Sequence, residues 1–245
     1  MTQDNGKIPV GYALPQPMDW EQLKPRVNYP TRADHLRFVM KLVADVPGHV
    51  CEFGVAHGGS TRVIQSEIRK QSKLPFGGRK LYAFDSFEGL REKFENAEVG
   101  AFACEVPKIR DVNFVKGYFE DTCTDELRRK IGKVAFAHLD ADLYSSTIFV
   151  LNWLTPMLST GSLLLFDEFV GGEQAEARAF YDWLEQSKVT LVRIAEFDRN
   201  PSGWGEKLDR RLLYQVVGEE PHPANGQVKK TVRRVGNKLQ RMLSR

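Results

Sequence analysis

The sequence predicts an α/β domain built on an open, mostly parallel sheet of seven strands that closes with a C-terminal antiparallel hairpin. Three observations predict it. Two apolar runs, KVAFAHLDADLY and GSLLLFDEF, each end in carboxylates and flank a helical stretch, which is how neighbouring parallel strands of such a sheet read. Strand-like and helix-like segments alternate from residue 49 to residue 187. The last two strand-like segments, near 190–197 and 210–217, have no helix between them and should pair antiparallel.

In chain order, residues 1–30 hold Pro9, Pro15, Pro17, Pro25 and Pro30, which removes backbone donors and predicts an extended arm. Thr31 with Asp34 three positions on resembles a capping box, and Leu36, Val39, Met40 and Val43 follow at helical spacing up to Gly48. Strands are then expected at 49–55, 80–86, 112–119, 134–141 and 161–167, and helices at 59–71, 122–131, 145–158 and 173–187. Residues 88–111 break the rhythm with mixed charge and no period. An excursion this long is read as a lid or substrate-binding piece, the competing reading being a short surface helix without a role. The domain thus spans 31–218, between the arm and a tail at 219–245.

Composition narrows the function classes. The net charge of +3 conceals a tail, Val228 to Arg245, with seven Lys or Arg and no acid; the rest is slightly acidic, so no nucleic-acid surface is indicated. Cys51, Cys104 and Cys123 lack paired metal spacing and read as reduced thiols of a cytoplasmic protein, with Cys51 in the core. No run approaches the roughly 18 apolar residues of a membrane span, and the N-terminus does not read as a signal peptide.

Asp140, Asp142, Asp167 and Glu168 follow the two apolar strands, so three or four acids should converge at the carboxyl end of the sheet, where ligands bind. Such a cluster needs a cation or a shared proton, and hard oxygen donors suit Mg²⁺. In CEFGVAHGGSTRVI, Glu52 and Gly54 end a strand while Gly58, Gly59 and Ser60 open a helix whose free N–H groups attract a carboxylate. The spacing is not GxGxxG, so a dinucleotide is not the first expectation. KLYAFDSF ends in Asp85, where doubly wound folds place the acid that binds ribose hydroxyls. A ribose ligand with a carboxylate describes S-adenosylmethionine. Taken alone, Asp85 reads equally well as a turn cap.

EFGVAHGGST, YAFDSFEGL, VKGYFEDT, HLDADLYSST and GSLLLFDEF occur in the order found in the macrocin O-methyltransferase family, and the sequence resembles that family over about residues 32–200. The resemblance implies a Rossmann-like class I methyltransferase fold and Mg²⁺-dependent methylation of sugar hydroxyls on natural products. It places Glu52, Gly54 and Ser60 around the methionine part of S-adenosylmethionine, Asp85 and Ser86 at the ribose, and Gly117, Tyr118 and Phe119 beside the adenine. It makes Asp140, Asp167 and Glu168 the metal ligands, an arrangement similar to that of catechol O-methyltransferases. Two positions depart from the family: Glu168 stands where Asp is more usual, and His57 where Arg is common.

Methyl transfer to a hydroxyl is an in-line displacement from a sulfonium, so alignment and an activated oxygen are required. Candidates for the base are His138, His57 and Asp142, the competing readings being a satisfied core histidine for His138 and a helix cap for Asp142. Met40, Trp153 and Trp183 are expected in the core, and Trp204 in a polar turn. The expected activity is O-methylation of a sugar or glycosylated small molecule. The alternatives are a catechol-type methyltransferase and a non-catalytic cofactor-binding scaffold docking through its tail. The resemblance also implies a homo-oligomer. In the tail, Val228, Val232, Val235, Leu239 and Met242 share one helical face among basic residues, the pattern of a helix lying on the inner face of an anionic membrane; Gly236 and Asn237 favour a disordered end instead.

Overall fold

A computed structural model of the chain describes residues 31–94, 96–169, 176–198 and 210–218. The arm at 1–30, Trp204, the tail with its basic segment, and the first residues of the helix expected at 173 lie outside the described residues. The elements are α1 (Arg32–Val43), β1 (His49–Phe53), α2 (Gly59–Lys70), β2 (Leu81–Asp85), β3 (Val112–Lys116), α3 (Phe119–Thr122), α4 (Asp125–Ile131), β4 (Val134–Leu139), α5 (Tyr144–Leu154), β5 (Leu163–Phe166), α6 (Glu176–Gln186), β6 (Thr190–Asp198) and β7 (Arg210–Gly218). The seven strands form one sheet in the order β3-β2-β1-β4-β5-β7-β6. All neighbours from β3 to β5 are parallel, and β7 runs antiparallel to both β5 and β6, as the sequence predicts.

Local chemistry explains the boundaries. Thr31 caps α1 as the sequence predicts: its Oγ1 accepts from the Asp34 N–H at 3.2 Å, and its hydroxyl, in place of the backbone N–H of a full capping box, donates to Asp34 Oδ2 at 2.6 Å. At its other end, buried Arg79 donates to the carbonyls of Val43, Ala44 and Val46, helping to satisfy the acceptors that a helix end leaves over. The strand expected at 112–119 stops at Lys116, because Gly117 adopts φ 136° and the chain turns into α3. The single helix expected at 122–131 is two. Thr124 interrupts it and caps α4 through a 3.2 Å bond from the Leu127 N–H. The described residues of 88–111 form no helix, which corrects that alternative: the segment folds on itself through Leu90 N–H to Ala101 O (2.9 Å) and Gly100 N–H to Leu90 O (2.8 Å).

Helices cover both faces of the sheet, and each face has its own apolar core. Leu36, Val39, Met40 and Val43 of α1 and Ile64 and Ile68 of α2 pack on Val50, Leu81, Phe136 and Leu163. On the other face, Trp153 of α5 and Phe180 and Trp183 of α6 pack on Phe53, Phe84, Leu139 and Phe166. The Trp indoles are satisfied as well as buried: Trp153 donates to Thr124 O at 3.1 Å and Trp183 to Thr155 Oγ1 at 2.9 Å. Phe53 stacks on Phe84 at 4.7 Å, and losing either ring would cost about 3–5 kcal/mol. All three cysteines are free; burial pushes the Cys51 thiol well up and that of Cys123 up to about 12, so neither is a nucleophile.

The order of strands decides where a ligand goes. From β1 the chain winds outward to β2 and β3, then returns to place β4 on the other side of β1. Connections therefore leave β1 and β4 in opposite directions, opening a crevice at their carboxyl ends.

Candidate active site

That crevice is a cavity of about 650 Å³. Gly54, Val55, Asp85, Ser86, Tyr118 and Phe119 form one wall, and Asp140, Asp142, Asp167 and Glu168 the other. Leu90, Arg91 and Phe102 of the 88–111 excursion close it from the side. Arg91 lies 4.1 Å over the Tyr118 ring and pairs with Glu120 and Asp121 at 3.2 Å each, while Ser145 Oγ donates to Glu92 at 2.6 Å, so the excursion is tied down on both sides of the opening. Ala56, Phe102 and Asp142, all of which line the cavity, adopt positive φ of 46°, 69° and 56°, so left-handed non-glycine backbone gathers at this rim, where strain commonly marks function.

The acids arrive from strand ends in register. The Asp140 N–H bonds to Phe53 O at 2.9 Å, and the Asp167 N–H to Leu139 O at 2.8 Å. Gly54 is required here: a Cβ on it would sit 1.9 Å from the Asp140 carbonyl. The donor atoms of His138, Asp140 and Asp167 lie within 4.8 Å of one another; Glu168 lines the cavity outside this trio. His138 is fully buried, with Nδ1 3.2 Å from Glu52 Oε1 and Nε2 3.4 Å from Asp167 Oδ1.

Two arginines complete the cluster. Arg211 of β7 spans both oxygens of Asp167, Nε to Oδ1 at 2.6 Å and Nη2 to Oδ2 at 3.2 Å. Arg32, at the start of α1, donates through Nη2 to Asp140 Oδ2 and holds Nε 3.1 Å from Asp167 Oδ1. The acid cluster therefore carries cations of the chain's own, and its convergence does not by itself demand a metal. Burial pushes the Asp167 carboxyl up, but hydrogen bonds from His138 and Arg211 outweigh it and hold it well below the usual range. Burial pulls His138 down, yet its bonds to Asp167 and Glu52 prevail and raise it to about 9. Asp140 is raised, first by burial and then by the charge of Asp167. Glu176 of α6 lies beneath, 1% exposed, accepting from the Ala141 N–H at 2.9 Å and the Glu168 N–H at 3.2 Å; burial lifts its carboxyl well above normal.

On the opposite wall, Asp85 Oδ2 accepts from the N–H groups of Val55 and Ala56 at 2.8 Å each, and Oδ1 from that of Phe87 at 2.7 Å. Its turn-cap role is thus real, and it lines the cavity as well. Gly58, at φ 73°, begins α2 without a side-chain cap, and Ser60 is buried in the first turn. Glu52 is fully buried and its Oε2 has no hydrogen-bond partner among the described residues.

Of the sequence-predicted site residues, Gly54, Asp85, Ser86, Tyr118, Phe119, Asp140, Asp142, Asp167 and Glu168 line the cavity. Glu52, Ser60, Gly117, His57 and His138 do not. His57 is exposed beside the α2 turn, its carbonyl accepting from Arg62 at 2.6 Å. Asp142 does not cap α5, whose N-cap is Leu143 with no side-chain bond. Arg32, Arg211 and Glu176 are absent from the sequence expectations. Glu176 left a signal, since it shares a helical face with Phe180 and Trp183 at spacings of four and three; Arg211 left a weaker one as a charge in an apolar strand.

The family model described as "Methyltransferase domain" matches residues 51–169. The strand order and the cavity at its switch point are those of the class I methyltransferase fold. Its relatives narrow the likeness. The chain is 29% identical over 175 residues to 8-demethyl-8-(2,3-dimethoxy-alpha-L-rhamnosyl)-tetracenomycin-C 4'-O-methyltransferase of Streptomyces olivaceus, covering 62% of this chain and 65% of that one. It is 26% identical over 148 residues to demethyldecarbamoylnovobiocin O-methyltransferase of Streptomyces niveus, covering 51% and 54%. The chain thus spans about half to two thirds of the length of these relatives. The crystal structure of a calicheamicin methyltransferase shares the fold at a TM-score of 0.56 and 22% identity, over 76% of this chain and 78% of that one. No described helix is long and apolar enough to cross a membrane.

Proposed function

We propose that the chain is an S-adenosylmethionine-dependent, Mg²⁺-dependent O-methyltransferase acting on a hydroxyl of a sugar or glycosylated small molecule. The observation that carries this reading is a cavity whose one wall suits a nucleoside and whose other wall is acidic. The two named relatives, both O-methyltransferases and one acting on a rhamnosyl group by its name, support the acceptor class.

The residues present fit both groups. The buried Glu52 Oε2 lacks a partner that an ammonium would supply, the uncapped start of α2 suits a carboxylate, and Tyr118 and Phe119 offer aromatic surface to a base. The carboxylates of Asp140, Asp167 and Glu168 supply hard oxygen donors for a divalent cation. When bound, Mg²⁺ would supply a Lewis acid that lowers the pKa of the acceptor hydroxyl.

The chain's own groups supply the rest. Asp85 locks the β1 and β2 turns together, fixing the wall on which the donor methyl is aimed. Asp142, the one catalytic candidate that lines the cavity, would accept the hydroxyl proton as the methyl passes from sulfur to oxygen. His138 then acts as a positioning residue, linking Glu52 to Asp167 from within the sheet. Leu90, Arg91 and Phe102 limit the access of water.

Methyl transfer to a panel of rhamnosylated and other glycosylated acceptors, and to catechols, with Mg²⁺ or EDTA, tests the proposal. Transfer to a glycosylated acceptor that EDTA abolishes is the expected result. Transfer confined to catechols overturns the acceptor class, and EDTA-resistant turnover overturns the metal.

A further inference from the structure

The two guanidiniums in the acid cluster are held differently. Arg211 is 6% exposed and uses two nitrogens on the two oxygens of Asp167, so it is a fixed counter-ion. Arg32 is 36% exposed, lines the cavity, and among the described residues makes one hydrogen bond, Nη2 to Asp140. Its Nε is buried 3.1 Å from Asp167 Oδ1 without forming a hydrogen bond. Its Cα is also the first residue of α1, at the end where the helix dipole disfavours a positive charge.

The place Arg32 occupies is the place a divalent cation would need. Its guanidinium bridges Asp140 and Asp167, the two carboxylates whose oxygens converge. Arg211 and Arg32 already crowd Asp167, with Nε 2.6 and 3.1 Å from Oδ1; a divalent cation about 4 Å from both adds further repulsion, which is relieved when the more exposed arginine leaves. Of the two arginines, only Arg32 lines the cavity and is appreciably exposed.

We propose that Arg32 is a displaceable internal counter-ion that competes with the divalent cation for Asp140 and Asp167, so that metal entry requires this side chain to swing away and the arginine sets the metal affinity. The inference rests on the metal site proposed above and adds a residue that opposes it. The cluster keeps a cation in either state, which spares the buried carboxylates an uncompensated charge. The apparent metal affinity falls in proportion to the fraction of molecules in which Arg32 is off the acids.

The test is Mn²⁺ binding by the full chain, followed by the electron paramagnetic resonance of free Mn²⁺, with no turnover involved. Arg32→Gln should bind Mn²⁺ roughly tenfold or more tightly than the wild type, as expected if the site is open in about a tenth of molecules. Arg32→Lys, which keeps a charge at the mouth, should stay nearer the wild type. Asp140→Asn should abolish binding in both backgrounds. Equal affinity in the wild type and Arg32→Gln, still abolished by Asp140→Asn, overturns the competition while upholding the metal site. Weaker binding by Arg32→Gln also overturns it. No binding by any form overturns the metal site and the competition with it. A measurement needing no variant is the Arg32 side-chain ¹⁵Nε resonance, which should lose its protection from solvent exchange on addition of Mg²⁺; unchanged protection at saturating Mg²⁺ overturns the proposal.

Discussion

Asp167, 1% exposed, stays ionised because His138 and Arg211 bond to it and Arg32 lies close by. Removing it therefore strands buried Arg211. Asp167→Ala should lose about 3 kcal/mol or more of stability, read as a melting point lowered by roughly 6 °C or more. Asp140→Ala, whose arginine partner is 36% exposed, should lose much less stability while still abolishing turnover. Equal melting points for the two variants would contradict this reading of the pairs. His138 gives a pH signature. Its folded pKa of about 9 exceeds the usual 6.5, so its stabilisation is complete below about pH 6.5 and is lost as pH rises through 9. The span corresponds to a few kcal/mol at most. Denaturant midpoints measured from pH 6 to 10 should fall across that window, and His138→Gln should flatten the fall; a wild-type profile already flat there would refute the assignment.

At the scale of elements, the loops after β4 and β5 are held together by one side chain of α6. Glu176→Ala leaves the N–H groups of Ala141 and Glu168 without acceptors, at about 1–3 kcal/mol each. Calorimetry should show the melting point fall, and Glu176→Gln, which keeps one acceptor, should fall less. Asp85 plays the matching part at β1 and β2. Asp85→Ala should weaken S-adenosylhomocysteine binding and also destabilise the fold, because three backbone amides lose their partner. The strands were legible in the sequence because their apolar runs are local, and so was the cap at Thr31 and Asp34. The acids that line the cavity were legible because they stand at strand ends. Their counter-ions were not: Arg32 lies 108 residues from Asp140 and Arg211 lies 44 from Asp167. No local period records such a pairing. The split of the helix near Cys123 escaped notice because Thr124 was read as interior rather than as a cap.

At the scale of the whole molecule, a ligand that fills the cavity between the β1 and β4 ends should stabilise the entire sheet. S-adenosylhomocysteine at a hundred times its dissociation constant should add about 2.7 kcal/mol, a rise of roughly 5–10 °C in melting point; no rise at that excess would remove the cofactor assignment. The strand order also sets a timetable for synthesis. β1 emerges first of the strands but pairs with β2 long before β4 can reach it, since Cys51 lies beside Ala137. β7 is the last described strand, yet it is an interior one, seated between β5 and β6. A nascent chain that has reached β5 thus presents an unpaired apolar edge, LLLF, leading into a carboxylate whose arginine the ribosome has not yet made. The site's electrostatic balance and the sheet's closure are completed by one late event, the docking of β7. Until then, that edge is a template on which another molecule's strand can pair.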